Sequence, residues 1–179
     1  MFIETARVKL SKKKAILVAT LAIIVAGFLM PEKLIIPVEG ASELDWDKRS
    51  FWYEPWGKSG VHKGIDIFAP KGRLLRSSSI GIVLFSGELE LGGNVIFVLG
   101  PKWRLHYYAH MDGVSVNILS LVSAGEEIGT VGDSGNAKGK PPHLHYSIIT
   151  IIPYIWRADG STQGWKKIFF LDPGEKLLE

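Results

Sequence analysis

Apolar residues in this chain come in two textures. From Ala15 to Met30 they run unbroken (AILVATLAIIVAGFLM), with Thr20 the lone hydroxyl and no charge. Such a run is apolar on every side and predicts one N-terminal helix. Beyond about residue 47 the apolar runs are short and bounded by Gly, Pro, Asn and Asp: IGIVLFS at 80–86, NVIFVLG at 94–100, WRLHYYAH at 103–110 and HLHYSIITII at 143–152. Runs of that length between turn residues predict strands. Gly92-Gly93 and Gly100-Pro101 join the first three, which predicts an antiparallel meander. No segment after residue 33 keeps a 3.6-residue apolar period over three turns. The pattern predicts an all-β domain, an antiparallel sheet or β-sandwich, preceded by one apolar helix.

The 179 residues carry a net charge of +3, which raises the question of a nucleic-acid partner. Residues 1–33 hold six basic groups (Arg7, Lys9, Lys12, Lys13, Lys14, Lys33) against Glu4 and Glu32, so 15 basic and 16 acidic residues remain for the rest. A body with no basic excess does not build a phosphate-neutralising face, and nucleic acid is excluded as the main partner. The basicity instead flanks the apolar run. That arrangement predicts a basic cytoplasmic flank over 1–14, a membrane anchor or signal-peptide core over 15–30, a linker over 31–46 and a folded domain over 47–179 exported from the cytoplasm. Pro31, Glu32 and Lys33 follow the run where a small-residue cleavage site belongs, which favours an uncleaved inner-membrane tether over a cleaved, secreted form.

No cysteine occurs, which excludes disulfides, thiolate metal sites and cysteine nucleophiles. The histidines carry the chemistry. His62 and Asp66 are four apart in VHKGID, His110 closes LHYYAH, and His143 and His145 alternate in PPHLHY. Residues two apart on a strand share a face, so His143 and His145 project together. Two imidazoles and a carboxylate with a position left for water form the ligand set of a catalytic zinc, and His62, Asp66 and His145 can supply it. His143 and His110 then remain to act on a reacting carbonyl. Taken singly, each piece also has a structural reading, as a turn carboxylate or a histidine bonded to backbone.

HKGIDI, HYYAHM and AGEEIGTVGDSGNAKGKPPHLHY, in that order, resemble the lysostaphin-type (LytM-like) zinc metallopeptidases of the bacterial cell wall over roughly residues 50–150, and FFLDPGEKLL resembles the close of such domains. The resemblance implies one zinc per chain on His62, Asp66 and His145. It makes His143 the catalytic histidine and His110 the second active-site histidine. The implied activity is hydrolysis of peptide bonds in peptidoglycan, at D-Ala–diaminopimelate, D-Ala–lysine or glycyl bonds. The alternative is a non-catalytic relative that regulates another wall hydrolase through a protein partner. Three departures stand out: a long GDSGNAKGKPPH loop, YSII after the histidine pair, and the aromatic segment SFWYEPWGKSGV. Phe51, Trp52, Tyr53 and Trp56 are read there as packing residues, with a groove wall as the other reading. His106 would share His110's face on a regular strand and is read as a surface position.

Overall fold

A computed structural model describes residues 11–179; the first ten positions of the basic flank, Arg7 and Lys9 among them, lie outside the described residues. Helix α1 (Lys12–Leu29) is followed by nine strands: β1 (Ile65–Phe68), β2 (Leu74–Arg76), β3 (Gly81–Leu89), β4 (Gly93–Leu99), β5 (Arg104–Val114), β6 (Leu121–Val122), β7 (Glu127–Val131), β8 (His143–Thr150) and β9 (Phe170–Leu171). A four-residue helix, α2 (Pro173–Lys176), comes last. The strands form one antiparallel sheet that does not close, in the order β1-β8-β5-β4-β3-β6, with β7 joining β2 to β5 and β9 lying on β8. The predicted meander is β3-β4-β5. After residue 33 the helix content is α2 and a few 3₁₀ turns among the described residues, as the absence of helical periodicity predicts.

Alternation along β1, β5 and β8 separates two faces. Ile65, Ile67, Tyr108, Leu144, Tyr146 and Ile148 point to one side and are fully buried with Leu75, Ile96, Met111 and Ile128. Each fully buried aliphatic side chain there stabilises the fold by about 1.5–3 kcal/mol relative to exposure. The opposite face carries Asp66, His143 and His145. Register brings them together, with Asp66 across from His145 and Phe68 across from His143.

Residues 31–46, expected as a linker, lie along the sheet. Val38 bridges to Leu75, Ile35 N–H donates to the Ser78 carbonyl, and Val38 and Trp46 are buried in the core. Helix α1 has no buried residue, and Ile16, Leu17 and Val18 are exposed. It touches the body where the Trp103 indole donates to the Ile24 carbonyl at 3.0 Å, against Gly27. A Cβ on Gly27 would fall 2.3 Å from that indole, so only glycine permits the contact.

Among the described residues, no helix is long and apolar enough to cross a membrane. The 18 residues of α1 begin with Lys12, Lys13 and Lys14. The apolar part that remains spans roughly 22 Å at 1.5 Å per residue, against a hydrocarbon core of roughly 30 Å. The fold therefore lends no support to the expected transmembrane anchor over 15–30.

Candidate metal centre and its groove

The segment before β1 folds back on itself and presents His62. Its N–H donates to the Tyr53 carbonyl, and its carbonyl accepts from Trp52 N–H at 2.7 Å. The His62 ring is buried, stacked on Trp56 with centroids 4.0 Å apart. Its Nδ1–H donates to the Ser50 carbonyl at 2.9 Å, so the Nε2 lone pair faces the site. On β8, His145 is anchored the opposite way: Nε2 sits 3.1 Å from Ser147 Oγ, leaving Nδ1 inward. Gly64 makes room for this ring, since a Cβ there would lie 3.0 Å from His145 Cε1 and closer still to Ser147 Oγ.

Three donor atoms converge. His62 Nε2 is 3.1 Å from Asp66 Oδ1 and 3.0 Å from His145 Nδ1, and the latter pair of His145 Nδ1 and Asp66 Oδ1 is 2.8 Å apart. A single proton on His145 Nδ1 satisfies only its contact with Asp66. The His62 lone pair still faces the carboxylate and the other imidazole, an arrangement that a cation resolves in full. Two imidazoles and a carboxylate, with protons anchored on the outer nitrogens, fit a divalent zinc-type ion. Burial raises the Asp66 carboxyl, but its contacts with His145 and His62 outweigh this and hold it well below the usual carboxylate range. Burial also lowers His145, favouring the neutral ring a metal needs, although Asp66 pulls the other way.

His143 and His110 stand beside this centre, ring centroids 5.0 Å apart. The Nδ1–H of His143 donates to the Pro141 carbonyl at 2.8 Å, and that of His110 to the Ser134 carbonyl at 3.0 Å. Each ring is left with a free Nε2, and that of His143 is 3.9 Å from Asp66 Oδ2. Burial, then the neighbouring His145 and His143, push His110 down to about 4, so it is a neutral base at pH 7.

All five residues line one open groove of about 640 Å³. It is lined by the 55–63 loop, which leads into the Ile65–Tyr146 end of the β1–β8 pair, by Asn136, Lys140 and Pro141, which lead into the opposite Phe68–His143 end, and by Tyr107 and Phe68. Burial raises the Tyr107 hydroxyl to about 12, so it stays protonated.

His106 is not at the surface and does not share His110's face. It is fully buried on the core side, its Nδ1 2.7 Å from the Tyr146 hydroxyl. The strand reading failed because β5 carries a bulge. Between the pairs Asn94–Met111 and Ile96–Tyr108, Ala109 and His110 together oppose Val95, and His110 takes φ 63°. A non-glycine residue in that region is strained, and here the extra residue turns the His110 ring towards the groove. Of the aromatic segment, Trp56 and Pro55 line the groove. Phe51 and Trp52 pack on each other, with Trp52 also against Phe170.

A profile of peptidase family M23 matches residues 60–155, more than half of the chain and the whole of the site. The chain belongs to peptidase family M23. This M23 chain is 37% identical over 113 residues to the L-Ala–D-Glu endopeptidase of Bacillus subtilis (strain 168), covering 58% of this chain and 35% of that protein. It is 33% identical over 105 residues to the murein hydrolase activator NlpD of Escherichia coli (strain K12), covering 58% of this chain and 27% of that one. The chain thus spans about a third or less of the length of these relatives. Its fold matches the catalytic domain of the antimicrobial peptidase lysostaphin from Staphylococcus simulans with a TM-score of 0.56 at 26% identity, over 70% of this chain and 86% of that one. The LytM/lysostaphin-like fold expected from the motifs is therefore the one observed.

Sequence reasoning on this M23 chain missed the groups that orient the rings. The carbonyls of Ser50, Ser134 and Pro141 are backbone atoms and leave no residue-type signal. Ser147 did leave one: it lies two residues beyond His145, on the same face of β8.

Proposed function

We propose that this chain is a zinc-dependent endopeptidase that hydrolyses peptide cross-links or stem peptides of peptidoglycan, with its catalytic unit over 47–179. The observation that carries the reading is the convergence of His62 Nε2, Asp66 Oδ1 and His145 Nδ1 beside two further imidazoles with free Nε2 atoms, all in one open groove. Bound zinc supplies Lewis acidity, bringing a water's pKa to about 7 and polarising the scissile carbonyl. His62, Asp66 and His145 would hold it. His143 accepts the proton of the attacking water at Nε2 and passes it to the leaving amine, while its Nδ1–H stays on Pro141. His110, kept uncharged by burial and with its Nδ1–H held by the Ser134 carbonyl, lies on the same side and offers its Nε2 lone pair to orient the attacking water. No HExxH occurs, so histidine takes the base role that glutamate has in such motifs.

Purified protein should retain about one zinc and release fragments from isolated cell-wall sacculi, and a chelator should stop the release. A protein that binds no zinc and releases nothing overturns the reading. The similarity to the murein hydrolase activator NlpD favours a second one, activation of another cell-wall hydrolase. Stimulation of a second cell-wall hydrolase by the chelated protein would support it.

We extend the proposal to location. A wall-acting enzyme works in the envelope, and the exposed apolar side chains of α1 behind Lys12–Lys14 suit an inner-membrane attachment. Carbonate extraction of membranes from cells making the full chain or a form lacking residues 1–30 tests it. Equal release of both forms counts against attachment.

A further inference from the structure

The groove is charged unevenly. Three lysines line it: Lys58 and Lys63 from the 55–63 loop, and Lys140 from the facing loop. Among the described residues the one carboxylate in the lining is Asp66, already engaged by His62 and His145. Lys58 lies 3.7 Å from Glu90, but both side chains are largely exposed, and such a pair neutralises little. Lys63 Nζ is held by the neutral carbonyls of Ser59 and Val61, which fix its position without cancelling its charge. Among the described residues no carboxylate forms a salt bridge with Lys63 or Lys140. By contrast, the nearby Lys71 is paired with both Asp112 and Asp133. Positive charge is thus left unmatched on both walls of a groove in a chain whose residues 34–179 are slightly acidic.

Resting on the endopeptidase reading, we propose that the groove selects acidic peptides, carrying a free carboxylate within reach of each wall, over uncharged glycyl bridges. Lys58 and Lys63 hold a carboxylate on one side of the scissile bond and Lys140 holds one on the other. Charges converging on a cleft from two sides favour an anionic ligand through both encounter and binding.

The test compares defined muropeptides with free carboxylates against the same muropeptides with those carboxylates converted to amides, using the full zinc-loaded chain. Cleavage rates and calorimetric affinities are both measured. The free form should have at least about tenfold higher kcat/KM and tighter binding, through KM rather than kcat. Raising salt should shrink the preference, since exposed charges are screened. Lys140→Met and the double variant Lys58→Met with Lys63→Met should each reduce it, with circular dichroism and zinc content unchanged. Equal cleavage and equal binding of the two forms would overturn charge selection and leave the endopeptidase reading intact. Tighter binding of the free form with no cleavage of either would overturn the endopeptidase reading and leave charge selection standing. Equal binding with no cleavage would overturn both.

Discussion

Strands β5 and β8 carry a polar cluster on each face, and the two clusters behave oppositely. On the groove side, His143, His145 and His110 join His62 and Asp66 around open space. On the core side, Arg104, His106, Tyr108 and Tyr146 are buried together, and Glu32 arrives from the segment after α1 and pairs with Arg104. Glu32 Oε1 lies 3.7 Å from His106 Nε2, and the Tyr108 hydroxyl accepts from Ser78 N–H at 2.8 Å. Burial lowers His106 as it lowers His110, with Glu32 opposing it. Perturbed histidines therefore do not by themselves distinguish a reactive site from a structural one. Direction and access do. Each groove-side ring has one nitrogen anchored and the other aimed at a shared open space, whereas His106 is anchored on Tyr146 and its second nitrogen is sealed in the core, 3.7 Å from Glu32 Oε1.

The sharpest break in this comparison is loss of a groove-side ligand. His145→Ala should abolish both zinc retention and hydrolysis, read by metal analysis and sacculus digestion. His143→Ala should keep much of the zinc and lower kcat by about 10²–10⁴-fold. If His143→Ala lost zinc as fully as His145→Ala, the division between ligand and base would be wrong.

Next in size is the closed cluster. Glu32→Ala leaves Arg104 buried without its partner and should cost about 3–5 kcal/mol of folding stability by denaturant titration. Zinc content and kcat of the folded fraction should be unchanged. Replacing both, Glu32→Leu with Arg104→Met, should recover most of the loss, because the penalty comes from an unpaired buried charge. A Glu32→Ala protein with normal stability but altered kcat would merge the two clusters into one functional unit.

Ser147→Ala removes the hydroxyl that anchors His145 Nε2 and should weaken zinc binding by about 10–100-fold, measured by competition with a chromophoric chelator.

The smallest effect is on pH dependence in the chelated protein. His110 is lowered from 6.5 to about 4, so the unfolded chain takes up a proton that the folded one refuses. Its contribution to stability is present above pH 6.5 and is lost as pH falls towards about 4. Thermal melts of chelated protein across that window should show a fall in Tm that is shallower in His110→Gln.

Much of this is legible in the sequence. The meander was written in short apolar runs and glycine turns, because strand length and punctuation are local properties. His143 and His145 were placed on one face by the two-residue period of β8, and His62 and Asp66 entered with them through the motif order. What could not be read was anything that depends on parity after an irregularity or on a backbone carbonyl. His106 and His110 are four apart, yet the bulge at Ala109–His110 puts them on opposite faces.

By itself, then, the sequence determined the fold class and the residues competent to bind a metal, since both follow from local pattern and side-chain type. The tertiary structure decided which nitrogen of each ring is free, which histidines face the groove and which one lies in the core, and that residues 31–46 belong against the sheet. It also revealed that three lysines share the groove. The physical reason is that ring orientation, strand parity and charge proximity depend on atoms far apart in the chain, such as Asp66 and His145, which meet only when β1 and β8 pair.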